Sequence, residues 1–441
     1  MTSSDENGSS FDSEPLFTST DSEGNTVMVD SNGSIVENVN PSENSVWSFP
    51  LDSGRPDYGS GGTVTNPGSS QSSNGQGNSS SSKTSSSSSK TSSSNGGSSS
   101  SAQLSETARL CNEIIQTEGA RLAQYVLPNG AIPMYNISKG GTSKLSPYFS
   151  CSAALGLLEA GYSDKVESYI KWHISKLQTK DVSGLNGTIY DYDITVNSSG
   201  QVTKEEAHND YDSVDSYSAL FLTLLKEYVV KTGKKDFVKQ YRSQIDRIYG
   251  TLNHTLVLNG DLTFAKPTYK VKYLMDNCEV VMGCRDAAYL YRNVFSDTAA
   301  AKKCDDLADL ITSGINKLWY STNSNYDYAK GSHSKWNIFY ADAAAQLFPV
   351  AFGVVSPGNQ REKDIYSKFK QEYPSWATVT TEDFPWVILT RASLAHKDYS
   401  TTTTFLKNIK SKFIDKTGGL WYCQESGLTI WTAAKLKASV G

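Results

Sequence analysis

The chain has 441 residues, a formal net charge of −5, and 37% hydrophobic and 11% aromatic content. The acidity is confined to one end: residues 1–101 hold 11 Asp or Glu against 3 Lys or Arg, and the rest holds 35 against 38. The near-neutral body has no basic stripe of the kind nucleic acid requires, and no apolar stretch approaches the roughly 18 residues needed to span a bilayer.

Residues 1–58 carry a few apolar side chains in an acidic, Ser/Asn-rich background. Residues 59–101 are mostly Ser, Gly, Asn, Thr and Lys, as in SSSSKTSSSSSKTSSSNGGSSSS. Such composition buries too little apolar surface to offset the entropy of ordering. Residues 1–101 are therefore expected to be a disordered tail and linker, and 102–441 the folded body. MTSSDENGSS lacks the basic and apolar parts of a signal peptide. A long Ser-rich leash before a compact body nevertheless suggests a secreted or surface-tethered protein whose targeting segment lies outside this chain.

From Gln103 onward, segments of two kinds alternate. Residues 104–126, 164–178, 235–257, 298–319, 359–372 and 400–414 have apolar residues at helical spacing and a charged opposite face, the signature of surface helices. Asp297 is placed to cap the fourth. Between them lie YFSCSAALGLLEAGY, SVDSYSALFLTLLKEYVV, KYLMDNCEVVMGCRDAAYLY, NIFYADAAAQLFPVAFGV, EDFPWVILTRASLAH and GLTIWTAAKLKASV. These are rich in Ala, Ser, Leu and aromatics, and helices apolar on most sides are buried on most sides. The order outer, inner repeats six times.

The connections are unequal. Inner-to-outer links are short, near 161–163, 231–235 and 296–297. Outer-to-inner links are long and carry Gly-then-aromatic elements: NGAIPMY, NGTIYDYD, NGDLTF, NYDYAKG and TGGLWY. Long loops gathered on one face of a rigid scaffold are where binding and chemistry concentrate.

This pattern resembles the six-hairpin glycosidase superfamily, whose fold is the all-α (α/α)6 toroid. The resemblance covers about residues 103–441 and is architectural; it does not single out one glycoside hydrolase family. It implies a monomeric enzyme that hydrolyses an oligo- or polysaccharide with two carboxyl groups, by inversion and without a cofactor.

In such a toroid the inner helices point their N-termini at the long-loop face, so the residues there are the candidates. In HNDYDSVDSY, Asp212 precedes the apolar run and Asp215 sits one turn inside it. In YLMDNCEVVMG, Asp276 and Glu279 are three apart and share a helix face. One buried carboxyl can hold a proton for the leaving oxygen while another stays ionised as base. The best pair is Asp212 or Asp215 with Asp276, and Asp212 suits the base because a helix N-terminus favours the ionised form. Glu279, Asp191 and Asp193 stand in reserve. Tyr135, Tyr190, Asp191, Asp193, Tyr273, Trp336, Tyr340, Asp342 and Trp386 are candidate sugar contacts, since sugar C–H faces pack on aromatics and hydroxyls bond to carboxylates. Glu382 and Asp383 read most simply as first-turn acids.

Each acid also has a purely structural reading: Asp212 as an N-cap, and Asp276 and Glu279 as partners of Lys270, Lys272 or Arg285. Two rival functions remain at this stage, a polysaccharide lyase on a similar toroid and a non-catalytic glycan-binding protein. A lyase would want Arg or His at the mouth, where this chain shows mainly Tyr. A terpene-cyclase-like helical barrel would want aspartates clustered for magnesium. No metal site is expected, because the five His and six Cys form no ligand cluster. The cysteines are expected as buried small residues, with a Cys284–Cys304 bridge as an option.

Overall fold

The structure is a computed structural model. It describes residues 96–256, 260–378, 385–416 and 421–440, together with three short strands nearer the N-terminus. Those strands, β1 (Phe17–Thr20), β2 (Thr26–Val29) and β3 (Ile35–Asn38), pair in an antiparallel meander. They fall within the stretch expected to lack structure. The rest of that stretch up to residue 95, and Glu382 and Asp383, lie outside the described residues.

The first helix, α1 (Gly96–Leu122), begins inside the Ser-rich segment, earlier than its amphipathic pattern. Adding turns to an existing helix is cheaper than nucleating one. The chain then runs through β4 (Thr142–Leu145), α2 (Pro147–Glu159), α3 (Ser163–Lys176), β5 (Tyr192–Val196), β6 (Val202–Ala207) and α4 (Val214–Thr232). Next come α5 (Lys235–Lys239), α6 (Arg242–Thr255), α7 (Leu274–Asn293), α8 (Thr298–Lys317) and the short pair β7 (Trp319–Tyr320) and β8 (Asn325–Tyr326). The last third holds α9 (Phe348–Ala351), α10 (Gln360–Glu372), α11 (Thr390–Ala395), α12 (Tyr399–Ile409) and α13 (Cys423–Val440). Three of the outer helices are capped by the side chain before them: Asp297 on α8, Asn359 on α10 and Asp398 on α12.

The inner segments α2, α4, α7, α9, α11 and α13 each pack against the next, and α13 returns to α2, so the ring is closed. Helices α1, α3, α6 and α12 pack on its outside. Close approach at the seams demands glycine. A Cβ on Gly427 would run into Ser152 O, one on Gly156 would run into Gly427 O, and one on Gly283 would stand 2.6 Å from Ala219 Cα.

The recurring Gly-aromatic turns lock each hairpin to its neighbour. Gly130 lies against Ser168 of α3, and Gly187 against Arg247 of α6. Both have positive φ, so glycine is required twice over, for conformation and for space. At the corresponding place in the next hairpin the roles reverse: Asp261 O lies against Gly314 of α8.

Inner segments four and five depart from the expected long helices. Segment four starts irregularly, with Tyr340 in extended backbone, and is broken again before α9. Pro349 explains the second break, since it has no N–H to donate and its ring crowds the turn before it. Segment five opens with Trp386 in left-handed conformation and one tight turn, Val387–Leu389, before α11.

All six cysteines are buried free thiols, so the Cys284–Cys304 bridge does not form. No described helix is long and apolar enough to cross a membrane.

Candidate active site

Strand β5 pairs with both β4 and β6, tying the mouth loops of the first two hairpins into one sheet. Just after it the chain enters α4 through YDSVD. The N-cap of α4 is Ser213 rather than Asp212, which lies one residue outside the helix. Asp215 is in the first turn and fully buried. Its Oδ1 accepts from the Ser216 N–H at 2.9 Å and from Ser213 Oγ at 2.6 Å. Among the described residues its buried Oδ2 has no hydrogen-bond partner within bonding geometry.

The neighbouring inner helix α7 presents Asp276 and Glu279 to the same place. Ser213 Oγ lies 3.0 Å from Asp276 Oδ2, so one hydroxyl touches carboxylates from two helices. The Tyr148 hydroxyl, from the first turn of α2, donates to Glu279 Oε1 at 2.6 Å. Among the described residues Arg285 is not paired with Asp276 or Glu279 and donates instead to Gly353 O. The structural pairing with Arg285 is therefore absent.

Burial is the main influence on these acids. It pushes Asp276 well above the usual carboxylate range, with Asp215, Glu279 and Asp212 adding repulsion. Burial likewise raises Asp215. It lifts Glu279 to about 7, against the hydrogen bond from Tyr148. Asp212 is raised to about 6 by burial, with Lys266 pulling the other way. A helix-end carboxylate held ionised, the expectation for Asp212, is thus replaced by one poised between its two forms.

Asp191 joins from the loop before β5. The Tyr217 hydroxyl donates to its Oδ1 at 2.9 Å, lies 3.0 Å from Ser146 Oγ, and accepts from the Asp212 N–H. Burial raises Asp191 to about 7. Asp193, two residues on, turns to His208 instead, at 3.2 Å. Tyr190 and Tyr192 do lie on the opposite side from the two acids, but that side is packing. Tyr190 stacks on Tyr211 and accepts from the Val182 N–H, and Tyr192 meets Trp172 of α3 edge-on. Tyr190 is therefore a buried support of the loop.

The remaining aromatics form two walls. One runs from Tyr135 through Tyr422, Phe149 and Tyr148 to Tyr217, with ring centroids 5.0 to 6.3 Å apart. The other places Tyr340 4.3 Å from Trp386, with Phe339 beyond. Burial and the charges of Asp276 and Asp212 raise the Tyr340 phenol, which places it beside the acids. The Tyr273 hydroxyl bonds to that of Tyr269 at 2.9 Å. Asp342 accepts from the Lys335 and Trp336 N–H groups, so it holds the loop in which Trp336 sits at positive φ.

No family model matches the chain, and no curated protein does. Solved structures do match. A wild-type glycosidase aligns with a TM-score of 0.54 at 10% identity, over 76% of this chain and 98% of that one. A glycosidase variant in complex with glucose gives 0.53 at 11%, over 76% and 98%. A GH63 mannosylglycerate hydrolase from Thermus thermophilus, in complex with glucose, gives 0.51 at 10%, over 72% and 100%. Likeness at this identity concerns the fold, and together with the closed inner ring it decides the architecture. The chain has an (α/α)6 toroid fold, like these glycosidases.

Two features of this toroid's mouth carried little sequence signal. Ser213 reads as a spacer between aspartates, although a serine two residues before an acid at a helix start is a capping cue. Glu425, in the first turn of α13, is fully buried and raised by burial to about 8. Among the described residues it accepts only from the Val387 N–H, and its Oε1 has no partner there. Its charge was visible in the sequence, but its isolation was not. Among the described residues no group of three or more His, Cys, Asp or Glu is arranged to hold a metal ion.

Proposed function

We propose that the protein is a glycoside hydrolase in which Asp276 is the general acid and Asp212 the general base. The observation that carries this is the single Ser213 hydroxyl within hydrogen-bonding distance of both Asp215 and Asp276. A hydroxyl has one proton to give. Two carboxylates around it can both be bonded only if one of them is itself protonated and donates to Oγ. Asp276, the more strongly raised of the two, holds that proton. It supplies it to the glycosidic oxygen as the C–O bond breaks, while Asp212 takes a proton from the water that attacks the anomeric carbon.

Asp215 is not the base in this reading. Groups bridged by one hydroxyl are closer than the roughly 6.5–9.5 Å that an intervening water requires. Asp215 and Glu279 are positioning residues whose negative charge keeps the proton on Asp276. The partly exposed Tyr340, Trp386 and Tyr135 supply faces for sugar rings, while Tyr148, Phe149, Tyr217 and Tyr422 are buried behind them. A lyase is less well supported, since burial raises the Tyr148, Tyr217 and Tyr340 phenols and so disfavours the phenolate that would take the proton.

The test is release of reducing ends from a panel of glycans, with Asp276→Asn and Asp212→Asn run in parallel. Cleavage by the wild type that both variants lose supports the assignment. Binding without cleavage of any glycan would leave a non-catalytic receptor, and ultraviolet-absorbing unsaturated products would make the protein a lyase.

A further inference from the structure

The loops that enter inner segments three and four meet along their backbones. The Lys330 N–H donates to Lys272 O at 3.1 Å, the Leu274 N–H donates to Tyr328 O at 2.8 Å, and Tyr273 and Ala329 form a bridge. Residues 262–273 carry three lysines and 328–341 carry two lysines and a histidine, and neither stretch has a carboxylate. Elsewhere on the mouth the balance is reversed: residues 177–213 hold seven acids against two lysines.

The carboxylates facing this basic edge are already engaged. Asp210 pairs with Lys266 at 3.0 Å, and Asp261 pairs with Lys317. Buried Asp327 accepts from the Gly331 N–H and faces His333 at 3.9 Å, and Asp342 accepts from two backbone N–H groups. Lys270, Lys330 and Lys335 are exposed and make no salt bridge with any described residue. The patch adjoins the acids. Tyr273 caps α7 three residues before Asp276, and Lys335 and Trp336 lie just ahead of Tyr340.

Lys330 also acts on Asp261, which Lys317 already holds, and cations crowded on one edge repel one another and focus a positive field on the surface beside them. We propose that Lys270, Lys330 and Lys335 form a subsite for negatively charged groups on the substrate, so that the glycan is an anionic one, bearing carboxylate or sulfate. This rests on the hydrolase reading only for the word substrate, since anion binding can be measured without catalysis.

The test compares binding of polygalacturonate, dextran sulfate and uncharged dextran to the full chain by affinity electrophoresis at low and high salt. The wild type and a K270Q/K330Q/K335Q triple variant are run side by side, with circular dichroism to confirm that both are folded. Tight binding of one charged polymer, weakened by salt and lowered about tenfold or more in the variant, is expected. Which charged polymer binds separates a carboxylate from a sulfate site. Equal binding of dextran, or undiminished binding by the variant, overturns the proposal. Hydrolysis of neutral glycans alone overturns it and leaves the hydrolase standing. Unsaturated products from polygalacturonate do the reverse.

Discussion

The inner ring has two unlike halves. On one side α13, α2, α4 and α7 are continuous helices whose backbones touch at Gly156, Gly427 and Gly283. On the other, segments four and five are broken into short turns, segment four at Pro349, with Trp336 and Trp386 at positive φ. The acids Asp215, Asp276 and Glu279 sit on the continuous half, whereas Tyr340, Trp386 and Trp336 sit on the broken one. Carboxyl groups that exchange a proton need placement to a fraction of an ångström, which packed helices provide. An aromatic platform tolerates more latitude, because stacking is less directional than proton transfer.

The comparison is broken most directly at Asp276. Asp276→Asn keeps the shape but removes the proton donor. We expect kcat to fall about a thousandfold with KM little altered, as measured by steady-state kinetics on a cleaved glycan. An unchanged kcat would move the chemistry off the continuous half.

Next in size is the seam. Gly427→Leu drives a side chain into the backbone of α2, and should cost about 3 kcal/mol or more in stability by thermal or denaturant unfolding. A variant as stable as the wild type would mean that the seam has room to open. Trp386→Ala, on the broken half, should raise KM about tenfold and leave kcat nearly intact, because it removes a binding surface and not a proton.

The smallest effect concerns pH. Asp276, Glu279, Asp212 and Glu425 all have folded values above those of the unfolded chain. From about 4 up to at least about 8, the value to which burial lifts Glu425, the folded state therefore binds more protons. Their stabilisation is complete below the unfolded value and is lost as pH rises through the folded ones. The melting temperature should fall by several degrees from pH 5 to pH 8, and the slope should flatten in Asp276→Asn. A slope of opposite sign would place these acids in an ionised, paired state.

The hairpin order, the outer faces, the cap at Asp297 and the loop asymmetry were all legible in the sequence. They are local properties, set by period and by turn chemistry. The convergence of Asp215 and Asp276 on Ser213 was not, because it joins residues 63 apart that only the closed ring brings together. Alternation in TIYDYDITV gave the correct sidedness for Tyr190 and Asp191, but not which side faces the mouth. That depends on Trp172 and Tyr211, which claim the tyrosines for packing. The fragmentation of segment four was signalled by Pro349 but masked by the unbroken apolar run around it.

Helix α1 packs along α13 while α13 packs on α2, so the two ends of the body lie beside each other and the ring has no privileged starting point. The order of hairpins along the gene is then one choice among six. A circular permutant that joins the end of α13 to the start of α1 and opens the chain at the exposed link near Gly161 or Ser296 should reach the same fold. Its hairpins would leave the ribosome in a different sequence, with the α13–α2 seam made early instead of last.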